Sequence, residues 1–565
     1  MNVKMEPLRL LMLAASVCFM AAWTLPNHNQ PWPTAYQEFA AFFACLLFLF
    51  ALTLHSKIAI PISLLLLFFP TLIPPLQYGF KIIHFSGDAW IAAIYLAGFA
   101  LMIVVGYNFA ICEVYRKISA QFISGAFIAA ALLSSWIALR QWLIISNSIW
   151  EVDIAIGARP YANLAQANNF ATLLCLGLSG TLYFYQTAKI GRIAASLTCL
   201  ILIFCLALTQ SRTPWVTLIA VIGFWKWKAS AQSYRLSTHH LIGWALVYFL
   251  FVSALPQISE YLVLPSTPIL TRASSLERWN LWLQLWQAAW KCPIWGCGWN
   301  QISIAQVNVS LTHPLPLASD HSHNILLDLL LWNGVPLGTL MIMVIVAWLA
   351  RLAWTAKSEE ALFALICSGL IIGHGLLEYP LEYAYYLLPL GLLLGVAAAE
   401  LPSRAQINFP RWALAAILIM GCALFSIYWK EYRTVEEDYR LLRFEIARIG
   451  SIKARQPAPD VLMISQLREK IRFFRTPITD TLSEGDLEKL SKIAYRYPSP
   501  ITLHRYALAL GLNGGYVEGY RHLLILRNLY GNDVYFQSMD SIYVESEHHP
   551  QLLIMLDQSK LSNVD

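Results

Sequence analysis

The sequence predicts an all-α polytopic membrane protein that ends in a small helical domain. Of its 565 residues, 58% are hydrophobic and only 13% are charged, against roughly 25% charged residues in soluble domains. Long apolar runs fill the first 429 residues. Backbone groups without hydrogen-bond partners in lipid cost several kcal/mol, so these runs must be helices.

Thirteen apolar runs are candidates for membrane helices, and their odd number would place the two termini on opposite sides. The first run resembles a signal peptide but has no clear small-residue cleavage site, so we expect an uncleaved first helix. The runs lie at residues 8–25, 36–54, 58–76, 89–111, 119–146, 167–187, 193–209, 214–228, 239–256, 324–350, 360–377, 384–400 and 411–429.

The orientation follows from the connections, because Lys and Arg are retained on the cytoplasmic side. One alternate set of turns carries most of these cations, for example Arg116 with Lys117 and Lys189 with Arg192. We therefore expect the other set to face the periplasm, including the long loop 257–323 and everything after residue 429. The net charge of +6 reflects the Lys and Arg residues that orient the protein in the membrane. It gives no reason to expect binding to nucleic acid.

Residues 430–565 form the predicted second domain, after a transmembrane catalytic domain at 1–429. They show helical patterning without an apolar run of membrane length. The stretch 482–530 predicts two or three amphipathic helices and resembles a tetratricopeptide hairpin, but fewer than three repeats are visible. In the periplasmic loop, Cys292 and Cys297 could form a disulfide or remain two thiols.

Amide side chains crowd the start of the sixth run, in "GARPYANLAQANNF". Amides offer both donors and acceptors, which suits sugar hydroxyls and diphosphate oxygens. The alternative is that they cap the helix and support its turn. The candidate substrate-binding residues here are Arg159, Asn163, Gln166 and Asn168.

Two arginines lie on the predicted periplasmic face. Arg212, in the short turn "TQSRTPW", violates the positive-inside bias, and a guanidinium binds phosphate with a planar fork. The alternative is an arginine bonded to helix-end carbonyls. Arg278 begins a stretch with Trp279, Trp282 and further tryptophans on one helix face, typical of interfacial anchoring. Arg278 is either a phosphate ligand or an ordinary first-turn charge.

Histidines open the tenth run, in "SDHSHN". His321 and His323 are suited to accept a proton near neutral pH. A zinc site is the alternative, but no thiol or third histidine lies nearby, so we expect no metal and no cofactor. Asn324 follows directly. Beyond the eleventh run, "GHGLLEYPLEYAYY" supplies further candidates for substrate binding, namely Glu378, Tyr379 and Tyr383.

These stretches together resemble the superfamily of O-antigen ligases, O-antigen polymerases and bacterial protein O-oligosaccharyltransferases. The landmarks are "SRTPW", "RWNLWLQLWQAAWKCPIWGCGWNQ", "HSHN" and "NGVPLG". The ligase pattern is His-Asn, nine residues and Gly-x-x-Gly, whereas here His323-Asn324 leads to Gly334 and the second glycine is Gly338, one place later. "RPYANLAQANNFATLL", "LLEYPLEYAYYLLPLGLLLG" and the C-terminal extension resemble the PglL-type O-oligosaccharyltransferases, which include pilin glycosylases.

The resemblance implies transfer of an oligosaccharide from undecaprenyl diphosphate to a serine or threonine hydroxyl of a periplasmic protein such as pilin. It also implies an all-helical fold related to the GT-C glycosyltransferases, set in the bacterial inner membrane among its lipids. The family's essential histidine corresponds to His323 and its phosphate-binding arginines to Arg212 and Arg278. Gln166 and either Tyr379 or Tyr383 match further family positions.

Three other functions fit the same sequence features. An O-antigen ligase would use lipid A-core as acceptor, and an O-antigen polymerase would use a second lipid-linked glycan. A flippase or transporter would carry charges near the bilayer centre and internal repeats. Arg140 lies within the fifth run, but no repeat is visible.

Overall fold

A computed structural model shows a chain of helices with one short pair of strands. It describes residues 5–55, 57–145, 148–229, 234–265, 274–402, 405–449 and 457–557. Part of the predicted periplasmic loop, residues 266–273, lies outside the described residues. The chain folds as two compact units, and each is described by itself.

The helices and strands follow one another along the described chain in this order: α1 (Met5–Thr24), α2 (Ala35–Thr53), β1 (Ile58–Pro61), α3 (Ile62–Leu65), a 3₁₀ segment (Leu66–Leu72), α4 (Ile73–Gly79), α5 (Ser86–Ile111), α6 (Glu113–Trp142), α7 (Ala167–Gln186), α8 (Arg192–Leu208), α9 (Thr213–Ala229), α10 (Thr238–Tyr261), α11 (Ser274–Lys291), α12 (Ile302–Ser310), α13 (Ile325–Asn333), α14 (Val335–Thr355), α15 (Glu359–Gly375), a 3₁₀ turn (Pro380–Glu382), α16 (Ala384–Ala398), β2 (Gln406–Phe409), α17 (Arg411–Ile446), α18 (Ser465–Arg475), α19 (Glu484–Arg496), α20 (Pro500–Leu512), α21 (Tyr516–Tyr530), α22 (Asn532–Glu545) and α23 (Leu552–Asp557).

Eight helical stretches in the described residues are long and apolar enough to cross a membrane, and α8 and α16 are shorter apolar helices. This confirms the prediction of an all-α polytopic membrane protein. The eight are Glu6–Thr24, Ala35–Thr53, Ile62–Gly79, Ser86–Ile111, Glu113–Trp142, Thr238–Tyr261, Val335–Thr355 and Arg411–Ile446.

Three of the predicted runs show the largest differences from the helices of the structure. The run 58–76 begins as strand β1 and continues through α3 and a 3₁₀ segment that contains Pro70, because proline removes the backbone donor that a regular helix needs. The run 324–350 is two helices, α13 and α14, separated by Gly334 at φ 78°. The last run continues beyond residue 429, to Ile446.

The first unit comprises Met1–Pro70, Ile94–Arg272 and Ile345–Trp429. Helix α7 packs against α6, α8 and α15, and α1 packs against α2 and α6. The core between them is aromatic, with Phe19, Trp23 and Phe127 fully buried. The Trp23 Nε1 donates to the Tyr385 carbonyl at 3.0 Å, so its one polar group is satisfied.

A two-stranded antiparallel sheet also belongs to the first unit. Strand β1 pairs with β2 in the register Ile58 to Phe409. The Asn108 side chain accepts from the Ala59 N–H at 2.8 Å and donates to the Ala59 carbonyl at 3.0 Å. The side chain thereby satisfies the N–H and the carbonyl of Ala59 at the edge of the strand. The sequence analysis missed this sheet, because four-residue strands are too short to show an alternating pattern.

The second unit comprises Thr71–Ala93, Ala273–Val344 and Lys430–Asp565. The C-terminal helices α20, α21 and α23 pack around Leu503, Leu523 and Met555, all fully buried. The second unit therefore contains two earlier segments of the chain in addition to residues 430–565. The division into domains after residue 429 stays a prediction.

A disulfide joins Cys292 and Cys297 in the second unit, with an S–S distance of 1.99 Å. Of the two alternatives for these cysteines, the structure has the bridge. The loop that the disulfide closes packs tightly on the α13–α14 break. A Cβ on Gly296 would lie 2.4 Å from the Trp332 carbonyl oxygen, and one on Gly334 would lie 2.0 Å from the Ile294 carbonyl oxygen. Glycine is therefore required on both sides of this contact.

Candidate functional site

In the first unit, hydrogen bonds to a buried carboxylate join three of the predicted site residues. Glu378 follows α15 and is 1% exposed. Gln166 Nε2 donates to its Oε2 at 3.3 Å, and Asn168 Nδ2 donates to its Oε1 at 2.6 Å. The Oδ1 of Asn168 accepts from the Ser211 hydroxyl at 2.8 Å. The start of α7, the end of α15 and the α8–α9 turn therefore meet in one hydrogen-bonded cluster.

The α8–α9 turn presents Arg212. The Ser211 side chain is buried, whereas Arg212 is exposed. Backbone bonds hold both sides of Arg212, since the Ser211 N–H donates to Thr209 Oγ1 at 3.2 Å and the Arg212 carbonyl accepts from the Trp215 N–H at 3.1 Å. Helix α9 begins at the next residue, so the backbone of Arg212 lies at the positive end of a helix dipole. Two positive features at one point favour an anionic ligand.

Arg159 lies beside the same turn. It lines a small pocket together with Gln210, Leu208 and Ser259. Gln210 has φ 48° and directly precedes Ser211. Both predicted arginines of the first unit are therefore associated with the 209–213 turn.

Asn163 supports the loop before α7. Its Nδ2 donates to the Thr24 carbonyl at 2.7 Å and to the Trp150 carbonyl at 2.8 Å, and its Oδ1 accepts from the Val152 N–H at 3.0 Å. Its side chain is buried. Both amide hydrogens are thus engaged by backbone, as the loop-supporting alternative expects.

The tyrosines after α15 form a ring stack. Tyr379 and Tyr383 have ring centroids 5.9 Å apart, and Tyr383 stacks on Tyr385 at 5.0 Å. Tyr383 precedes α16, whose first N–H, on Ala384, donates to the buried Glu38 carboxylate at 2.6 Å. The sequence analysis missed Glu38, because a single acid at the start of a helix is an ordinary capping signal.

In the second unit, the loop that carries His323 has an unusual backbone. His323 has φ 58°, which non-glycine residues seldom adopt. Hydrogen bonds on both sides maintain it: the Asn324 N–H donates to Ser322 Oγ at 3.1 Å, and Asn324 Oδ1 caps α13 by accepting from the Leu326 N–H at 3.0 Å. The imidazole of His323 is half-buried. The Cα–Cβ bond of His323 therefore leaves a backbone that hydrogen bonds hold on its C-terminal side.

Helix α11 lies against this loop. Trp282 Nε1 donates to the Ser322 carbonyl at 2.8 Å. Arg278 lies four residues earlier and so on the same helix face. Trp279, Trp286 and Trp290 are exposed, as expected of interfacial anchors. Trp282 differs from them, because it supports the histidine loop. Arg278 and His323 thus belong to the second unit, while Arg212 belongs to the first.

Two buried glutamines, missed by the sequence analysis, support the segment before His321. Gln306 Nε2 donates to Gln284 Oε1 at 2.9 Å, and Gln306 Oε1 accepts from the Ser319 N–H at 2.9 Å. Ser319 Oγ in turn donates to the His321 carbonyl at 2.6 Å. A glutamine inside an amphipathic helix carries no spacing signal that would reveal such a contact.

Two cations of the C-terminal helices, Lys470 and Arg496, interact electrostatically with Asp320 of the loop that carries His323. Arg496 Nε and Nη2 donate to the two Asp88 carboxylate oxygens at 3.0 and 3.2 Å. The Lys470 Nζ lies 4.7 Å from the Tyr497 ring centroid. Burial lowers the pKa of Lys470; Asp320 in the histidine loop opposes this shift and Arg496 adds to it. The loop therefore lies in the field of C-terminal cations.

Comparison with known proteins covers almost the whole chain. The O-Antigen ligase family matches residues 197–342, which include Arg212, Arg278 and His323. The C-terminal family of virulence factor membrane-bound polymerases matches residues 362–541, which include Glu378 and the tyrosine stack. No solved structure matches.

Two curated relatives come from Acinetobacter baylyi. A general O-oligosaccharyltransferase is 31% identical over 542 residues, 94% of each chain. A ComP-specific O-oligosaccharyltransferase is 26% identical over 518 residues, 90% of this chain and 92% of the relative. These matches confirm the resemblance seen in the motifs. The chain belongs to the bacterial O-oligosaccharyltransferases, membrane-embedded glycosyltransferases of the O-antigen ligase superfamily.

Proposed function

We propose that this protein transfers an oligosaccharide en bloc from undecaprenyl diphosphate to serine or threonine hydroxyls of periplasmic proteins such as pilin. The observation that carries this proposal is full-length similarity to two relatives named as O-oligosaccharyltransferases, one of them specific for ComP. Similarity across both the membrane helices and the C-terminal helices favours a protein acceptor over lipid A-core.

Arg212 and Arg278 are the proposed ligands of the donor diphosphate. Arg212 is exposed directly before the first residue of α9, and Arg278 lies on the α11 face that supports the histidine loop. A guanidinium binds phosphate oxygens in a bidentate manner and stays charged. Positive charge at the leaving group stabilises the transition state as the bond to the sugar breaks.

His323 is the proposed general base. It would accept the proton of the acceptor hydroxyl while that oxygen forms a bond to the anomeric carbon. The bond between the anomeric carbon and the phosphate oxygen breaks, and the electron pair leaves on undecaprenyl diphosphate. Because a lipid diphosphate is a good leaving group, this displacement requires neither a metal nor a cofactor. Arg159, His321, Asn324, Tyr379 and Tyr383 are proposed to contact the glycan or the acceptor.

The proposed location is the bacterial inner membrane, with the active face and the C-terminal helices in the periplasm. The distribution of Lys and Arg among the connections supports this orientation. The Cys292–Cys297 disulfide, in a loop assigned to the periplasm, supports it as well, because disulfides persist in oxidising compartments.

Co-expression tests the choice of acceptor. The protein is produced with a pathway that makes a lipid-linked glycan and with a candidate pilin, and the intact mass of the pilin is measured. We expect a mass increase equal to the whole oligosaccharide. Unmodified pilin together with glycan on lipid A-core would identify a ligase instead, and longer O-antigen chains would identify a polymerase.

A further inference from the structure

The cluster around Glu378 points to a role different from contact with the sugar. Glu378, Asn168 and Ser211 are 1%, 7% and 2% exposed. They come from three separate stretches of the first unit and are joined by bonds of 2.6 and 2.8 Å. Ser211 directly precedes Arg212.

We propose that Glu378 and Asn168 are positioning residues that fix the turn bearing Arg212. This inference rests on the proposed function, in which Arg212 binds the donor diphosphate. The chain of contacts runs from the Glu378 carboxylate to the Asn168 amide, then to the Ser211 hydroxyl, and through the backbone to Arg212.

The polarity of the cluster allows only one orientation of the Asn168 amide. A buried carboxylate is costly unless donors satisfy it, and here each oxygen of Glu378 receives an amide N–H. Asn168 must therefore direct its NH₂ group to Glu378, which leaves its carbonyl oxygen to accept from Ser211. Reversing the amide would place two acceptors together. Glu378 thus determines which atom of Asn168 meets the turn.

The consequence for Arg212 follows from the shortness of its turn. Only four residues, 209–212, connect α8 and α9. The Ser211 side chain is tied to Asn168, and the carbonyl of Arg212 is tied to Trp215, so the Cα of Arg212 is held from both sides. A misplacement of about 1 Å can cost roughly 100-fold in rate, so an anchored turn affects the binding of a diphosphate at a fixed position.

A polarity swap tests the proposal. Asn168→Asp alone places two carboxylates in contact, and Glu378→Gln alone places an NH₂ group against the NH₂ group of either Asn168 or Gln166. The double variant restores all three bonds, because the new amide at position 378 donates to the new carboxylate at position 168 and accepts from Gln166. That carboxylate in turn accepts from Ser211. We expect each single variant to lower kcat/KM for the lipid-linked donor by at least about tenfold, and the double variant to recover most of the loss.

Two further comparisons separate positioning from general stability. In an Arg212→Gln background, Glu378→Gln should add little further loss, because its effect passes through Arg212. Ser211→Ala should raise the donor KM, whereas Ser179→Ala should not; Ser179 is also a buried serine, but it bonds the Cys175 carbonyl of its own helix. Thermal unfolding of each purified variant monitors folding.

The outcomes distinguish this inference from the proposed function. No recovery in the folded double variant, or a full additional loss in the Arg212→Gln background, overturns the positioning role alone. If Arg212→Gln has the donor KM and kcat of the wild type, Arg212 does not bind the diphosphate. The positioning role of Glu378 and Asn168 is then overturned as well.

Discussion

At the scale of single residues, the geometry of His323 determines what its removal does. Its φ of 58° is accompanied by hydrogen bonds between Ser322 and Asn324 that do not involve the imidazole. Removal of the imidazole leaves the groups that form these bonds in place.

We expect His323→Ala to lower the rate of transfer by about 10² to 10³, the typical cost of removing one group that acts in the transition state. The measurement is initial-rate transfer of glycan to acceptor by purified protein. His548→Ala is the control, since His548 is an exposed histidine in the same unit. Near-normal transfer by His323→Ala would refute its role as base.

At the scale of elements, the break between α13 and α14 depends on glycine. Gly334 has φ 78°, and a Cβ there would lie 2.0 Å from a backbone oxygen. We expect Gly334→Ala to destabilise the purified protein by more than about 2 kcal/mol in denaturant unfolding. Gly514→Ala is the matched control, because it has φ 84° but nothing within 4 Å. Equal losses would show that the close packing is unimportant.

A buried histidine makes α21 sensitive to pH. The ring of His522 lies 4.7 Å from that of Tyr506, and burial lowers the pKa of His522, although the Glu518 carbonyl near its Nδ1 opposes the shift. An unfolded histidine titrates near about 6.5. The lowered folded pKa therefore contributes stability that is present above that pH and is lost as the pH falls through it toward the folded pKa.

As the pH falls from roughly 7 to 5 the intrinsic rates of amide exchange decrease, and we expect exchange in α21 to decrease less than they do, an excess that reports the lost stability. In His522→Phe this excess should be smaller, because phenylalanine does not titrate. Exchange of the variant and of the wild type is compared at each pH by mass spectrometry, which cancels the intrinsic rates. The same excess in both proteins would assign the sensitivity to another group, of which the half-buried His504 in α20 is the first candidate.

At the scale of the whole molecule, the odd number of predicted crossings determines where the C-terminus lies. Alkaline phosphatase is active only when exported, so we expect a fusion after residue 557 to be active. A fusion after Lys357, in a connection assigned to the cytoplasm, should be inactive and serves as the control. If the fusion after Lys357 is active and the fusion after residue 557 is inactive, the protein has the opposite orientation in the membrane.

Metal dependence is a second property of the whole reaction. Because the arginines and a good leaving group account for the charge that develops, we expect transfer by the purified protein to continue in EDTA. Restoration by added Mg²⁺ after a loss in EDTA would show that a cation takes part.

The apolar runs were predictable because lipid leaves a chain no choice except a helix. The short motifs also identified Arg212, Arg278 and His323 as candidates before any contact was known. These are properties of local composition. The structure confirms the polytopic class and the relatives confirm the enzyme family, while the roles of the individual site residues stay predictions.

Other features depend on partners that are distant in the chain. Asn168 meets Glu378 across 210 positions, and Gly334 breaks a helix because the loop after Ile294 occupies the space of a side chain. Strand β1 pairs with a segment more than 340 residues later. The sequence by itself determined the all-α polytopic class and the family that the chain belongs to. Only the tertiary structure decided which polar groups pair, because hydrogen bonds between distant residues leave no periodic trace along the chain.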